Sequence, residues 1–133
     1  MNTTSLELSK RIATLEGDKG ESEYWWFPHR EMETHRLIEW KIKDTRCGSN
    51  ESVPALTTDE LLERLPIMIE MIPEESDELA KWYFSMTKYE NGFTATYTYF
   101  YYGPMDTIRF SSDTPAEALG LLYEHLLIKG LIT

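Results

Sequence analysis

The chain has one cysteine, Cys47, in 133 residues. A single thiol excludes a disulfide framework and a four-cysteine zinc site, and it fits a reducing cytoplasm. Arg46 beside it could lower the thiol pKa, but no particular histidine is tied to it, so a free thiol is expected. No apolar run approaches the length of a membrane span. The N-terminus lacks the basic-then-apolar layout of a signal peptide. Cations are scarce: 13 Lys and Arg against 23 Asp and Glu leave a formal net charge of −10. Such a surface disfavours direct contact with nucleic-acid phosphates or anionic membranes. It suits a basic protein partner, or simply solubility. There is no Gly-x-Ser-x-Gly elbow, no phosphate-cradling glycine loop and no two-cysteine pair. Nothing therefore implies a cofactor or names a reaction. The length predicts one domain over residues 1–133 with a real core.

What the chain does have is aromatic residues in alternating runs. Between Glu78 and Glu90, Trp82, Phe84 and Met86 share one face, and Ser85, Thr87 and Tyr89 the other. Asn91-Gly92 accepts positive φ at both central positions of a type I′ turn. Phe93, Ala95, Tyr97 and Tyr99 then alternate with Thr94, Thr96, Thr98 and Phe100. Gly103-Pro104 marks the next turn, and Asp106–Ser111 is a short strand with Ile108 and Phe110 inward. Thr114-Pro-Ala-Glu117 opens a helix with a capping box and a proline at the first helical position. Ala118, Leu119, Leu122 and Leu126 form its apolar stripe, and Gly130 ends it.

Earlier in the chain, Ser5–Leu15 carries Leu8, Ile12 and Leu15 at helical spacing, stopped by Gly17 to Gly20. Glu23–Phe27 is an aromatic strand stopped by Pro28. Arg36–Lys43 alternates, so the two strands predict a hairpin turning between His29 and Thr34. Thr57 and Glu60 repeat the capping-box pattern ahead of Leu61, Leu62 and Leu65. Pro66 kinks or ends that helix, and Ile67–Ile72 is ambiguous between a helical turn and an extended run. The predicted fold is α+β, an α/β/α sandwich around a mainly antiparallel sheet in the order αββαβββα.

Three stretches resemble a known family. Pro54-Ala-Leu-Thr-Thr-Asp59, Tyr89-Glu-Asn-Gly-Phe93 and Asp113-Thr-Pro-Ala-Glu-Ala-Leu119 are similar to the phage α/β/α sandwich domain of small uncharacterised phage and prophage proteins. The resemblance covers the C-terminal two-thirds and rests on caps and turns. It implies a phage-derived accessory protein and carries no activity.

Three constellations are candidate sites. His29, Glu31, Glu33 and His35 recur at every second residue and would share one face of a continuous strand, a set that suits zinc or another divalent cation. Their plainer role is a polar hairpin loop. Glu70, Glu74, Glu75, Asp77 and Glu78 form an acidic run that could mimic DNA phosphates; charge runs are usually solvated. Tyr99, Phe100, Tyr101 and Tyr102 are four aromatics in a row that cannot all point inward, and they are the expected contact surface. The other aromatics, Trp25, Trp26, Trp40 and Trp82 among them, are expected in the core.

The expectation is a non-enzymatic binding or interaction module of phage or prophage origin. Its partner is a protein, basic in charge or a second copy held through a sheet edge or aromatic patch. One alternative is an acidic inhibitor of a host defence or nucleic-acid enzyme. The other is a small metal-dependent hydrolase using the His/Glu cluster.

Overall fold

The computed structural model describes residues 2–17, 21–30, 38–43, 53–73, 78–99 and 106–132. In chain order the elements are α1 (Leu6–Glu16), β1 (Tyr24–Arg30), β2 (Ile38–Lys43), β3 (Val53–Ala55), α2 (Thr58–Arg64), β4 (Met68–Met71), β5 (Ala80–Tyr89), β6 (Gly92–Tyr99), β7 (Asp106–Ser112) and α3 (Pro115–Ile128). The protein is α+β, with antiparallel pairing throughout the described strands.

The helices start where their caps direct. Ser5 accepts from the Leu8 amide at the head of α1, Thr57 from Glu60 at α2 and Thr114 from Glu117 at α3. Each hydroxyl satisfies an amide that a helix leaves without an internal partner. At α2 the capping box is complete. At α3 only half of it forms, because the Glu117 carboxylate accepts instead from the backbone amide of Ser5, 2.9 Å away. One acidic side chain thereby ties the start of α1 to the start of α3.

Two short strands are added to the expected order. Val53–Ala55 becomes β3, paired with β1. The ambiguous stretch at Ile67–Ile72 resolves as β4, paired with β5. The strands divide into a three-stranded sheet, β2-β1-β3, and a four-stranded sheet, β4-β5-β6-β7. β1 also runs through Pro28, which lies opposite Trp40. β3 covers only Tyr24–Trp26, so β1 has no second neighbour at Pro28 among the described residues, and a missing donor is tolerated there.

The turn between β5 and β6 sits one residue earlier than the sequence suggests. Tyr89 pairs with Gly92, which makes Glu90-Asn91 the central pair. Neither has positive φ; Gly92 has, at 149°. A side chain at 92 would place its Cβ 2.4 Å from the Ser112 carbonyl oxygen, so close approach to β7, and not a type I′ turn, is what requires glycine.

α3 lies on β6 and β7, and α1 and α2 pack against α3. α1 approaches it at Gly120, where any Cβ would sit 2.7 Å from both Leu8 and Thr4 side chains. The core gathers Leu8 and Ile12 of α1, Leu61 of α2, Ile69, Trp82 and Tyr97 of the sheet, and Leu119, Leu122 and Leu126 of α3. Among the described residues the opposite face of the four-stranded sheet carries no helix layer, where a three-layer sandwich has one on each side. The alternation explains it. Over the middle of β5, β6 and β7 that face presents Ser85, Thr87, Thr96 and Arg109, which give a second layer little apolar area to bury there.

Candidate functional site: the open sheet face

Strand alternation sends Trp82, Ala95 and Tyr97 into the core and their neighbours to the other face, where Thr94 is nevertheless buried. The outward side chains form three rungs across β5, β6 and β7: Tyr83–Thr98–Thr107, Ser85–Thr96–Arg109 and Thr87–Thr94–Ser111. The hydroxyls bond to one another. Ser85 and Thr96 lie 2.6 Å apart and Thr94 and Ser111 2.8 Å apart. A serine or threonine hydroxyl becomes a nucleophile when a base takes its proton. In these two pairs the partner is another hydroxyl and not a base.

At the β4 end the same sheet turns apolar. Tyr83 lies opposite Met68 and is half exposed. Ile72 and Leu79 stand one residue beyond the last paired rung, Met71–Ala80, and both are exposed. Between them Glu70 faces Lys81 across the strands. Large apolar groups gathered at one sheet end, with a charged pair between them, have the composition of a contact surface.

A second cluster joins the three helices. The Tyr123 hydroxyl donates to Glu16 Oε2 at 2.6 Å, Arg64 Nε lies 3.4 Å from the same oxygen, and Arg64 Nη2 donates to the Glu21 carbonyl. Burial and the Glu16 carboxylate push the Tyr123 hydroxyl far above its ordinary value. A phenol held so firmly protonated is a poor nucleophile at neutral pH; its donated hydrogen bond ties the end of α1 to α3. Away from this cluster, a pocket of about 350 Å³ opens at the β5–β6 turn, between Tyr89, Asn91, Phe93, Ser112 and Asp113.

The sequence-derived sites fall unevenly on this frame. Tyr99 is on the core face of β6, its ring 5.6 Å from Trp82, so it packs inward and is not part of an outer contact surface. Phe100, Tyr101 and Tyr102 lie outside the described residues. Of the acidic run, Glu70 and Glu78 are exposed and Glu70 faces Lys81; Glu74, Glu75 and Asp77 lie outside the described residues. His29 is in β1 opposite Glu39, while Glu31, Glu33 and His35 lie outside the described residues, as does Cys47. Among the described residues no group of three His, Cys, Asp or Glu is placed to hold a metal. No described helix is long and apolar enough to cross a membrane.

Sequence reasoning missed Met68, Ile72, Leu79 and Tyr83. The alternation that set Ser85 and Thr87 outward also sets Tyr83 outward. The apolar end became visible only once Ile67–Ile72 was known to be extended. Comparison with protein-family models, with curated proteins and with solved structures finds no match to this chain.

Proposed function

We propose that the protein is a non-enzymatic interaction module that engages a protein partner through the open face of its four-stranded sheet. The observation that carries this is the exposed apolar group at one end of that face, Ile72, Leu79 and half-exposed Tyr83, on a side without a helix layer among the described residues. Burying such groups against a partner removes about 25 cal/mol of unfavourable hydration per Å² of apolar surface. The exposed Ser85–Thr96 rung beside them can exchange its mutual bond for bonds to a partner.

A phage or prophage accessory role is part of the same proposal. Its support is the likeness at Pro54–Asp59, Tyr89–Phe93 and Asp113–Leu119, which here form the openings of α2 and α3 and the β5–β6 turn.

The test is site-specific photo-crosslinking in a host lysate. A photoreactive residue at Leu79 or Tyr83 is expected to capture one defined protein, and the same residue at Arg11, on the helical side, is not. Ile72→Asp combined with Leu79→Asp should abolish capture while leaving the melting temperature within a few degrees. Equal labelling from Arg11 and from Leu79, or capture that survives the double substitution, would overturn the proposal.

A further inference from the structure

β4 is four residues long and β5 is ten. The mismatch leaves a notch. Pairing between them ends with Met68 opposite Tyr83, and one further bond follows, from the Phe84 amide to the Ile67 carbonyl at 2.9 Å. Before Ile67 the chain turns under the sheet, where the Tyr97 hydroxyl donates to the Pro66 carbonyl at 2.6 Å. From Ser85 to Tyr89 nothing is paired with β5 on that side among the described residues. Backbone groups alternate along a strand, so those of Met86 and Lys88 point the same way as those of Phe84, into the notch. An edge of this kind is a template for another strand.

We propose that the notch is filled by the same five residues of a second copy, Ser85–Tyr89, added antiparallel about a two-fold axis through Thr87. Complementarity selects the occupant. In this register Met86 lies opposite Lys88 and Lys88 opposite Met86. Each such pair exchanges two backbone hydrogen bonds, so four bonds close the edge with none left over. Thr87 meets Thr87 and Ser85 meets Tyr89, pairings that strand faces accept. No like charges lie directly opposite. In a chain of net charge −10 these five residues hold one lysine and no acid, so two copies can meet here with little repulsion.

Length fits as well. Extending the pairing by one rung would put Glu90 of one copy opposite Phe84, a position Ile67 already fills. The β5–β6 turn of each copy therefore stops against Ile67 of the other. Ile67 is 82% exposed in the single chain, the highest value among the described large apolar residues, and it would be covered. The two four-stranded sheets then join through their longest strands. This edge lies at the opposite end of β5 from Leu79, so it is a site apart from the apolar contact surface.

The experiment is sedimentation equilibrium on the full chain, from low micromolar to near-millimolar concentration. The wild type is expected to move from one chain mass toward two. Lys88→Pro removes one donor that points into the notch, no backbone bond to β6 and only the ammonium contact with the Phe93 ring, and it should weaken association roughly tenfold or more. Thr87→Lys keeps every backbone bond but sets two lysines against each other on the axis, and it should weaken association comparably. In a Cys47→Ser background, Thr87→Cys should form an intermolecular disulfide under mild oxidation, because a non-hydrogen-bonded pair brings the two Cβ atoms within bridging range. Ser111→Cys on β7 should not. A single-chain mass at every concentration would overturn the proposal, as would a dimer that both edge variants leave intact. So would a wild-type monomer that captures an extended peptide of another protein at this edge.

Discussion

The two faces of the four-stranded sheet are built by the same strands, and residues one position apart on β5 meet opposite fates. Trp82 is 2% exposed, with its indole donating to the Met71 carbonyl at 3.1 Å; Tyr83 beside it is 48% exposed. On the inner face apolar side chains require a cover, and α3 supplies it. On the outer face hydroxyls satisfy each other in pairs, and water or a partner can complete the layer. Among the described residues one face of the sheet is covered by helices and the other has no helix layer, so the same strands supply a core on one side and leave exposed side chains on the other.

The largest effect should come from breaking the closed face. Trp82→Ala is expected to cost about 3–5 kcal/mol in urea unfolding, from lost burial and the cavity left behind. Tyr83→Ala should cost less than about 1 kcal/mol. Similar losses at the two positions would mean that the faces do not differ as described.

Next is the point where the two faces meet at the β5–β6 turn. Gly92→Ala forces a Cβ against the Ser112 carbonyl and strains a backbone at φ 149°, for an expected loss of about 1–3 kcal/mol. Asn91→Ala, one residue earlier and exposed, should be close to neutral.

The helix openings sharpen the contrast between local and distant bonds. Glu60 accepts from Ser22 Oγ at 2.7 Å and from the amides of Thr57 at 3.0 Å and Glu23 at 3.1 Å. Glu60→Ala should cost about 1–2 kcal/mol. Burial pushes the Glu60 carboxyl up, but these bonds outweigh it and hold the group below the usual carboxylate range. The folded state therefore favours the charged form. The contribution is present above the ordinary carboxylate pKa and is lost as pH falls through the lowered folded value. Glu60→Gln should flatten the acid limb of stability against pH.

The smallest effect belongs to the open face. Thr96→Val removes one hydroxyl of the Ser85 pair at an exposed rung and should change stability by less than about 0.5 kcal/mol.

Much of this architecture was legible. Thr57 and Glu60, Thr114 and Pro115, and the alternation of Trp82 to Met86 and Phe93 to Tyr99 each act within a few residues, so spacing is enough to read them. The capping pattern at Thr114–Glu117 shows where such reading stops. Its local geometry permits a closed box, yet the carboxylate goes to Ser5, a residue 112 positions away that proximity in the chain does not reveal. Asn91-Gly92 gave the hairpin correctly and the turn type incorrectly, because Gly92 answers to Ser112 on the neighbouring strand. Of the candidate sites, Tyr99 lies partly buried against the core, its ring beside Trp82.

Alternating polarity, caps and glycines determined by themselves that this chain forms helices and antiparallel strands, and which side of β5 and β6 is apolar. These are local preferences that each segment carries with it. Which sheet each strand joined, whether Ile67–Ile72 paired with Ala80–Tyr83, and which face was left open were decided only in the tertiary structure. A four-residue strand has no stability of its own; it exists where a longer strand offers it an edge. Its shortness is what leaves the edge of β5 without a partner from Ser85 to Tyr89 among the described residues.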